Sequence, residues 1–257
     1  MRRGRALLVV AILTYLFLLS PFVVIFVVSF GQTLAFPPSG LTIQWYEKAI
    51  SMRMFRDAFK VSLMVGLVAT LVALLLGVPA AYAIVRYAPK GRQYMEFAFE
   101  SPIVVPALVI GFALLRFLVH VGDIPVLPAL LIGHTVIVIP YAVRVTAASL
   151  RNFDFTVEEA AMSLGAPQWK AFLRVVLPNI RTGVLAAFIL GFTLSFNNVP
   201  ISLFLTGPGI TTLPIQMLSY MEYYYNPLIA ALSVLVILFT VLVTQAAERT
   251  LGLSKFM

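Results

Sequence analysis

The sequence predicts an all-α, polytopic membrane protein, and three observations carry that prediction. The 257 residues are 61% hydrophobic and only 11% charged, with a mean hydropathy of +1.00. Soluble domains are about 45–50% apolar and about 25% charged, so a soluble globular chain is excluded, and the same figures exclude disorder. Apolar stretches of about 18 or more residues, the length that crosses a bilayer as helix, recur along the chain. Nearly all of the remaining charges fall between those stretches. Their net excess of +8 fits the basic bias that orients membrane spans better than a nucleic-acid footprint. The absence of cysteine removes disulfide frameworks, thiolate zinc sites and haem attachment.

Six spans are expected within one transmembrane domain over 1–257. The first covers about residues 6–30, behind Arg2, Arg3 and Arg5. Its apolar run exceeds the ~7–15 residues of a signal-peptide core, and no Ala-x-Ala-like site follows, so it reads as a retained anchor. Residues 61–85 form the second span, bounded by Lys60 and Arg86. Along it Ala69, Ala73, Gly77 and Ala81 make a small-residue face, which suits close helix contact within the subunit or across a dimer. The third span, 97–119, carries Arg116 near its far end, and the fourth, 124–143, lies between Asp123 and Arg144. The fifth, 183–206, is stopped by Gly207-Pro208-Gly209, and 226–247 is the sixth. Pro106 and Pro140 are expected to kink their helices, because an interior proline removes one ladder bond.

With six spans both termini share a side, and lysine and arginine choose which. An inside N-terminus places Arg2, Arg3, Arg5, Arg86, Lys90, Arg92, Arg144, Arg151, Lys170, Arg174, Arg181, Arg249 and Lys255 in the cytoplasm, leaving Lys48, Arg53, Arg56, Lys60 and Arg116 outside. Cytoplasmic termini follow. The outer segment 31–60 mixes Trp45, Ile50, Met54 and Phe55 with basic residues, as an interfacial amphipathic helix does. In 207–226, Tyr220, Tyr223, Tyr224 and Tyr225 read as an aromatic belt. Either segment suits membrane-surface packing or partner docking.

The largest inner feature is the loop 144–181. Thr156-Val157-Glu158-Glu159 reads as a capping box in which Thr156 and Glu159 satisfy each other's amides. Val157, Ala160, Ala161 and Leu164 make an apolar stripe, and Gly165 supplies a left-handed C-terminal cap. Pro167 suits the first turn of a second helix, which runs through Trp169, Phe172 and Val176 until Pro178 interrupts it. The product is a helix–turn–helix tethered between two spans, which is not the free basic recognition module that DNA binding needs.

Glu159-Ala160-Ala161, three residues, Gly165, nine residues, Val175, one residue and Leu177-Pro178 resemble the EAA loop of ABC-importer permeases. Val175 stands where isoleucine is usual. The six spans and the loop's place between the fourth and fifth also match, and Pro102–Gly111, His134–Leu150 and Phe192–Leu218 look most like the spermidine/putrescine permease subset. The resemblance implies the type I ABC-importer permease fold, with Glu158, Glu159, Ala160, Ala161, Gly165, Leu177 and Pro178 coupling the chain to an ATPase. It also implies a second permease subunit, two ATPase subunits, a periplasmic solute-binding protein and a home in the bacterial inner membrane. No GxxxxGK[ST] loop occurs, so ATP and Mg act at the partner subunits and this chain carries no cofactor.

Polar groups inside the membrane are candidates for function. Ser195, Asn197 and Asn198 precede Pro200, which frees a carbonyl four residues back. These groups either face a solute path or glue helices together. His134, near the middle of the fourth span, pairs across helices or belongs to the path. The spermidine/putrescine-type relatives often carry acids where Asn197-Asn198 stand, so a zwitterionic, anionic or complexed solute gains on a free polycation. No HExxH, GxSxG or other catalytic pair is present. A self-sufficient ion-coupled carrier is the alternative, although it would bring internal repeats and midplane carboxylates.

Overall fold

The computed structural model describes residues 2–87, 90–122 and 124–251. Asp123 and Lys255, which enter the expected charge pattern, lie outside them. In chain order the helices are α1 (Arg2–Ser29), α2 (Gln44–Ser51), α3 (Arg53–Tyr87), α4 (Arg92–Val104), α5 (Ala107–Val121) and α6 (Val126–Arg151). Then come α7 (Thr156–Ser163), α8 (Gln168–Ala171), a π-helical turn (Phe172–Val176), α9 (Leu177–Asn179) and α10 (Arg181–Phe196). The chain finishes with α11 (Pro200–Leu205), α12 (Leu213–Tyr223) and α13 (Leu228–Leu251). Among the described residues the extended pairings are two isolated bridges, Gly31 with Leu41 and Gly207 with Ile210. The residues group into two compact units, Met1–Asp57 with Gln216–Leu242, and Ala58–Ile215 with Val243–Met257.

In the first unit α1 is apolar all round beyond Arg5, and none of residues 7–27 is buried by the chain, whereas Val28 and Ser29 at its end are. Such a helix persists only in hydrocarbon or against another apolar surface. The turn behind it is tied down: Thr42 N donates to the Phe30 carbonyl (2.7 Å) and Trp45 Nε1 to that of Gly31 (2.9 Å). The expected interfacial helix is cut short at Met52, whose ψ of 119° is extended. Arg53, Met54, Phe55 and Arg56 therefore open α3 instead. Tyr220 also departs from the expected belt. It is buried, edge-on to Phe55 at 5.5 Å and stacked on Tyr224 at 4.5 Å, while Tyr223 and Tyr225 are exposed.

In the second unit the small-residue face of α3 finds its partner within the subunit. Ala69, Ala73 and Ala81 are fully buried, and a Cβ on Gly77 would sit 2.8 Å from the Ala142 Cβ of α6. Without water to drive association, close backbone approach supplies the van der Waals contact that holds membrane helices together. Gly77→Leu is therefore expected to cost about 1–3 kcal/mol by overpacking, read as a lower melting temperature in detergent. An unchanged melting temperature would refute this contact. Val65, Leu130, Val138, Ala187 and Ile201 complete the core beside it.

Two expected spans are broken. α4 and α5 meet at 99° across Val105 and Pro106. Pro106 has no amide to continue the ladder and drives Val105 out of the helical region (ψ 132°), so 97–119 is not one straight helix. The expected fifth span, 183–206, ends at Phe196, with α11 restarting at Pro200. Pro140, by contrast, sits inside an unbroken α6, which runs on to Arg151 and absorbs the start of the 144–181 loop. Among the described residues four helices are long and apolar enough to cross a membrane, and up to six crossings result if each bent pair is one span.

Candidate functional site

The hairpin following α6 is built differently at its start than its sequence suggests. Thr156 is the first residue of α7 rather than its cap, and no side chain of the N-cap position, Phe155, closes the helix. The Thr156 amide donates instead to Asp154 Oδ1 at 3.0 Å, which holds that carboxyl below the usual carboxylate range. Glu159 is engaged away from the helix start, with Arg86 Nη2 donating to its Oε1 at 2.9 Å. The far end matches expectation. Gly165 has φ +90°, Ala166 N donates to the Ala161 carbonyl (3.1 Å) and Gly165 N to that of Met162 (2.9 Å), a Schellman motif.

The second arm is not stopped by Pro178. Pro167 precedes α8 as its cap, and the π turn over Phe172–Val176 opens the ladder just before the residue that cannot donate to it. Helix resumes through Leu177, Pro178 and Asn179, then breaks at Ile180 with a 73° bend into α10. Leu177 is half-buried against the core and Pro178 is exposed.

The two faces of α7 are inverted relative to a surface helix. Val157, Ala160 and Leu164 point outward, Leu164 at 90% exposure, with Ala161 partly covered. Glu158 turns inward and is 0% exposed, so it offers nothing to a docked surface. Its Oε1 accepts a hydrogen bond from Tyr82 Oη, and its Oε2 lies 3.0 Å from Arg86 Nε. Arg86 also stacks over the Phe155 ring at 5.1 Å. A second clasp lies nearby, where Glu96 Oε1 takes Arg92 Nε (2.9 Å) and Arg151 Nη2 (2.8 Å). These pairs gather the C-terminal ends of α3 and α6, the start of α4 and the hairpin at one end of the unit.

The polar residues of the expected fifth span separate into two groups. His134 is buried, its Nδ1 2.7 Å from Ser195 Oγ and its Nε2 3.0 Å from Ser202 Oγ, so it joins α6, α10 and α11. Asn197 and Asn198 occupy the break itself. Asn197 is exposed and donates Nδ2 to the Thr193 carbonyl (3.0 Å). Asn198 Oδ1 caps α11 by accepting from the Ile201 amide (2.9 Å). The Asn198 side chain also borders a cavity of 260 Å³ lined by Val105, Pro106, Ile137, Tyr141 and Leu194. Two proline-induced breaks thus meet at one hollow. Among the described residues no group of three or more His, Asp or Glu could hold a metal.

Sequence reasoning missed Tyr82 and Ser202 and took Arg86 only as the charge ending a span. No spacing links Arg86 to a glutamate more than seventy residues downstream, and Ser202 was hidden inside an apolar run.

An apolar bundle of whole and broken helices that carries this hairpin has the fold of an ABC-importer permease. It superposes with a TM-score of 0.73 and 17% identity on a chain of a bacterial ABC transporter involved in the import of the acidic polysaccharide alginate, covering 96% of this chain and 95% of that one. The inward-facing MetNI methionine ABC transporter gives a TM-score of 0.63 at 19% identity over 77% of this chain and 95% of that one. The chain belongs to the family of binding-protein-dependent transport system inner membrane components, which it matches over residues 73–250. It is 31% identical to the putrescine transport system permease protein PotI of Escherichia coli (strain K12) over 90% of this chain and 85% of that one. With the spermidine/putrescine transport system permease protein PotC of the same organism it shares 26% identity over 91% and 89%. It is a transport permease component of a kind that works with an ATPase and a binding protein.

Proposed function

We propose that this chain forms half of the translocation path of an ATP-driven importer, completed by a different but homologous permease subunit. One of two ATPase subunits, which bind ATP and Mg, docks on this hairpin and the other on the partner permease, and a periplasmic binding protein delivers the solute. The carrying observation is the inverted α7, which buries Glu158 and leaves Val157, Ala160 and Leu164 uncovered. An apolar face held outward by a buried ion pair is a face kept for a partner. Glu159, Ala160, Ala161 and Gly165 form or shape that face, and Leu177 and Pro178 belong to the arm that returns the chain to α10. Arg86, Arg92 and Arg151 converge at the hairpin end, which supports a cytoplasmic hairpin and cytoplasmic termini.

The solute is a small, polar, amine-bearing compound of the polyamine, opine or amino-acid-like kind. The names of the two relatives support the amine. The Asn197-Asn198 pair favours a solute that also carries an acceptor or an acid, because an amide both donates and accepts. Asn197 and Asn198 border the path, whereas His134 and Ser195 hold the break that positions them. Leu164→Glu places a charge on the uncovered face without touching the core. It should lower co-purification of the ATPase and reduce uptake at least tenfold, with the membrane level of the chain unchanged. Co-purification at the wild-type level would refute docking on this face, and uptake that persists with an inactive ATPase would favour an ion-coupled carrier instead.

A further inference from the structure

The buried end of the hairpin contact has a consequence for how force travels. Tyr82 and Arg86 lie one helical turn apart on α3, so both side chains point at the same place. Between them sits Glu158, a carboxylate with no exposed surface, bonded to Tyr82 Oη on one oxygen and 3.0 Å from Arg86 Nε on the other. A buried carboxylate is tolerated only while both partners remain in place. Oε2 meets Arg86 as an ion pair without a hydrogen bond, while the Tyr82 side is well furnished: Gln168 Nε2 donates to Tyr82 Oη at 3.4 Å, Phe172 packs on the Tyr82 ring at 4.7 Å, and Phe155 lies under Arg86. The first arm of the hairpin through Glu158 and the second through Gln168 thus converge on one tyrosine. Among the described residues, α3 is the helix outside the loop that exchanges polar bonds with α7. It is also the longest helix, 35 residues or about 52 Å at 1.5 Å per residue, long enough to carry a displacement at Arg86 across the whole bilayer.

We propose that Tyr82, Arg86 and Glu158 form the joint through which movement of the hairpin is imposed on α3. They are positioning residues of the coupling step, not contacts to the ATPase. Arg86 is bound on both sides of α7, to buried Glu158 and to exposed Glu159 (2.9 Å). A docked partner that competes for Glu159 leaves the Glu158 half of the joint intact, so the hairpin stays fastened to α3 while its outer face is engaged. This inference rests on the importer reading given above.

The test uses the whole complex with both permease subunits, ATPase and binding protein, reconstituted in liposomes. Solute uptake and binding-protein-stimulated ATP hydrolysis are measured in parallel. Glu158→Ala, which removes both bonds, should assemble and hydrolyse ATP but import at least tenfold less solute per ATP. Glu158→Gln, which keeps an acceptor for Tyr82 and loses the ion pair, should fall between it and wild type, as should Tyr82→Phe. A purely structural role would lower uptake and hydrolysis together, in proportion to assembled complex, and that result overturns the proposal. So does a wild-type ratio of solute to ATP in Glu158→Ala. If Glu158→Ala does not assemble, the same ratio in Glu158→Gln and Tyr82→Phe decides. Wild-type complex that imports without hydrolysing ATP would instead overturn the importer reading.

Discussion

Gly165→Val is expected to reduce coupled uptake to less than a tenth of the wild-type rate while the chain still inserts and accumulates in the membrane. Gly165 closes α7 with φ +90°, a conformation that puts a Cβ against the neighbouring carbonyl at about 1–2 kcal/mol for an ordinary residue. A branched Cβ makes this worse. Nothing lies within 4 Å of the position a Cβ would take, so the whole effect is conformational and local. Relaxing the strain means abandoning the two cap bonds from Gly165 and Ala166 and re-aiming the chain that enters α8. The exposed face of α7 then no longer stands at a fixed angle to Trp169 and the second arm. Gly165→Asn tolerates the same region and should retain at least half of the uptake. Uptake in proteoliposomes, normalised to incorporated protein, checks both. Equal activity of the valine and wild-type chains would remove the hairpin from the coupling step.

The membrane class, the all-helical fold and the hairpin were legible in the sequence because each depends on local or one-dimensional signals. Apolar run length, the Gly165 stop and the EAA spacing require no knowledge of what lies opposite. What escaped depends on tertiary partners. The capping box was a sound local reading, but Arg86 outbids the helix start for Glu159, and Asp154, two residues before Thr156, takes the amide instead. An ion pair assembled from distant segments beat a pairing three residues long. The stripe Val157, Ala160, Leu164 was seen as apolar, yet only the structure shows that it faces outward.

The breaks in the spans follow the same division. Pro106 and Pro200 were visible as residues that lack an amide, and Pro140 and Pro178 looked equivalent to them. Their outcomes differ because α6 stays packed along its length around Pro140, and a π turn absorbs the missing donor before Pro178. At Pro106, Val105 is already forced to the extended region. At Pro200 the Asn198 side chain caps the restarted helix, which makes a break there stable rather than merely permitted. The asparagines were legible as unusual. That one of them caps the very break it marks was not.

His134→Leu is the substitution with the largest expected effect on folding, about 2–4 kcal/mol. Whichever tautomer the ring adopts, one nitrogen donates and the other accepts, so it binds Ser195 and Ser202 in one plane and fixes α10 and α11 to α6 across the break. Leucine satisfies neither hydroxyl. Ser195 is 2% and Ser202 0% exposed, and a buried hydroxyl without a partner costs about 1–3 kcal/mol. Back-bonding of each serine to its own helix brings this toward the low end. Intramembrane hydrogen bonds themselves average only about 0.6 kcal/mol, so the loss comes from stranded groups rather than from the bonds removed. It follows that deleting all three polar partners should be milder than deleting one. The triple variant His134→Leu, Ser195→Ala, Ser202→Ala should recover most of the melting temperature in detergent, because an apolar cluster leaves nothing unsatisfied. It should also transport, since these residues hold the break rather than meet the solute. A triple variant that melts like wild type yet imports nothing would place His134 and Ser195 in the path itself, and with them the chemistry that selects what crosses.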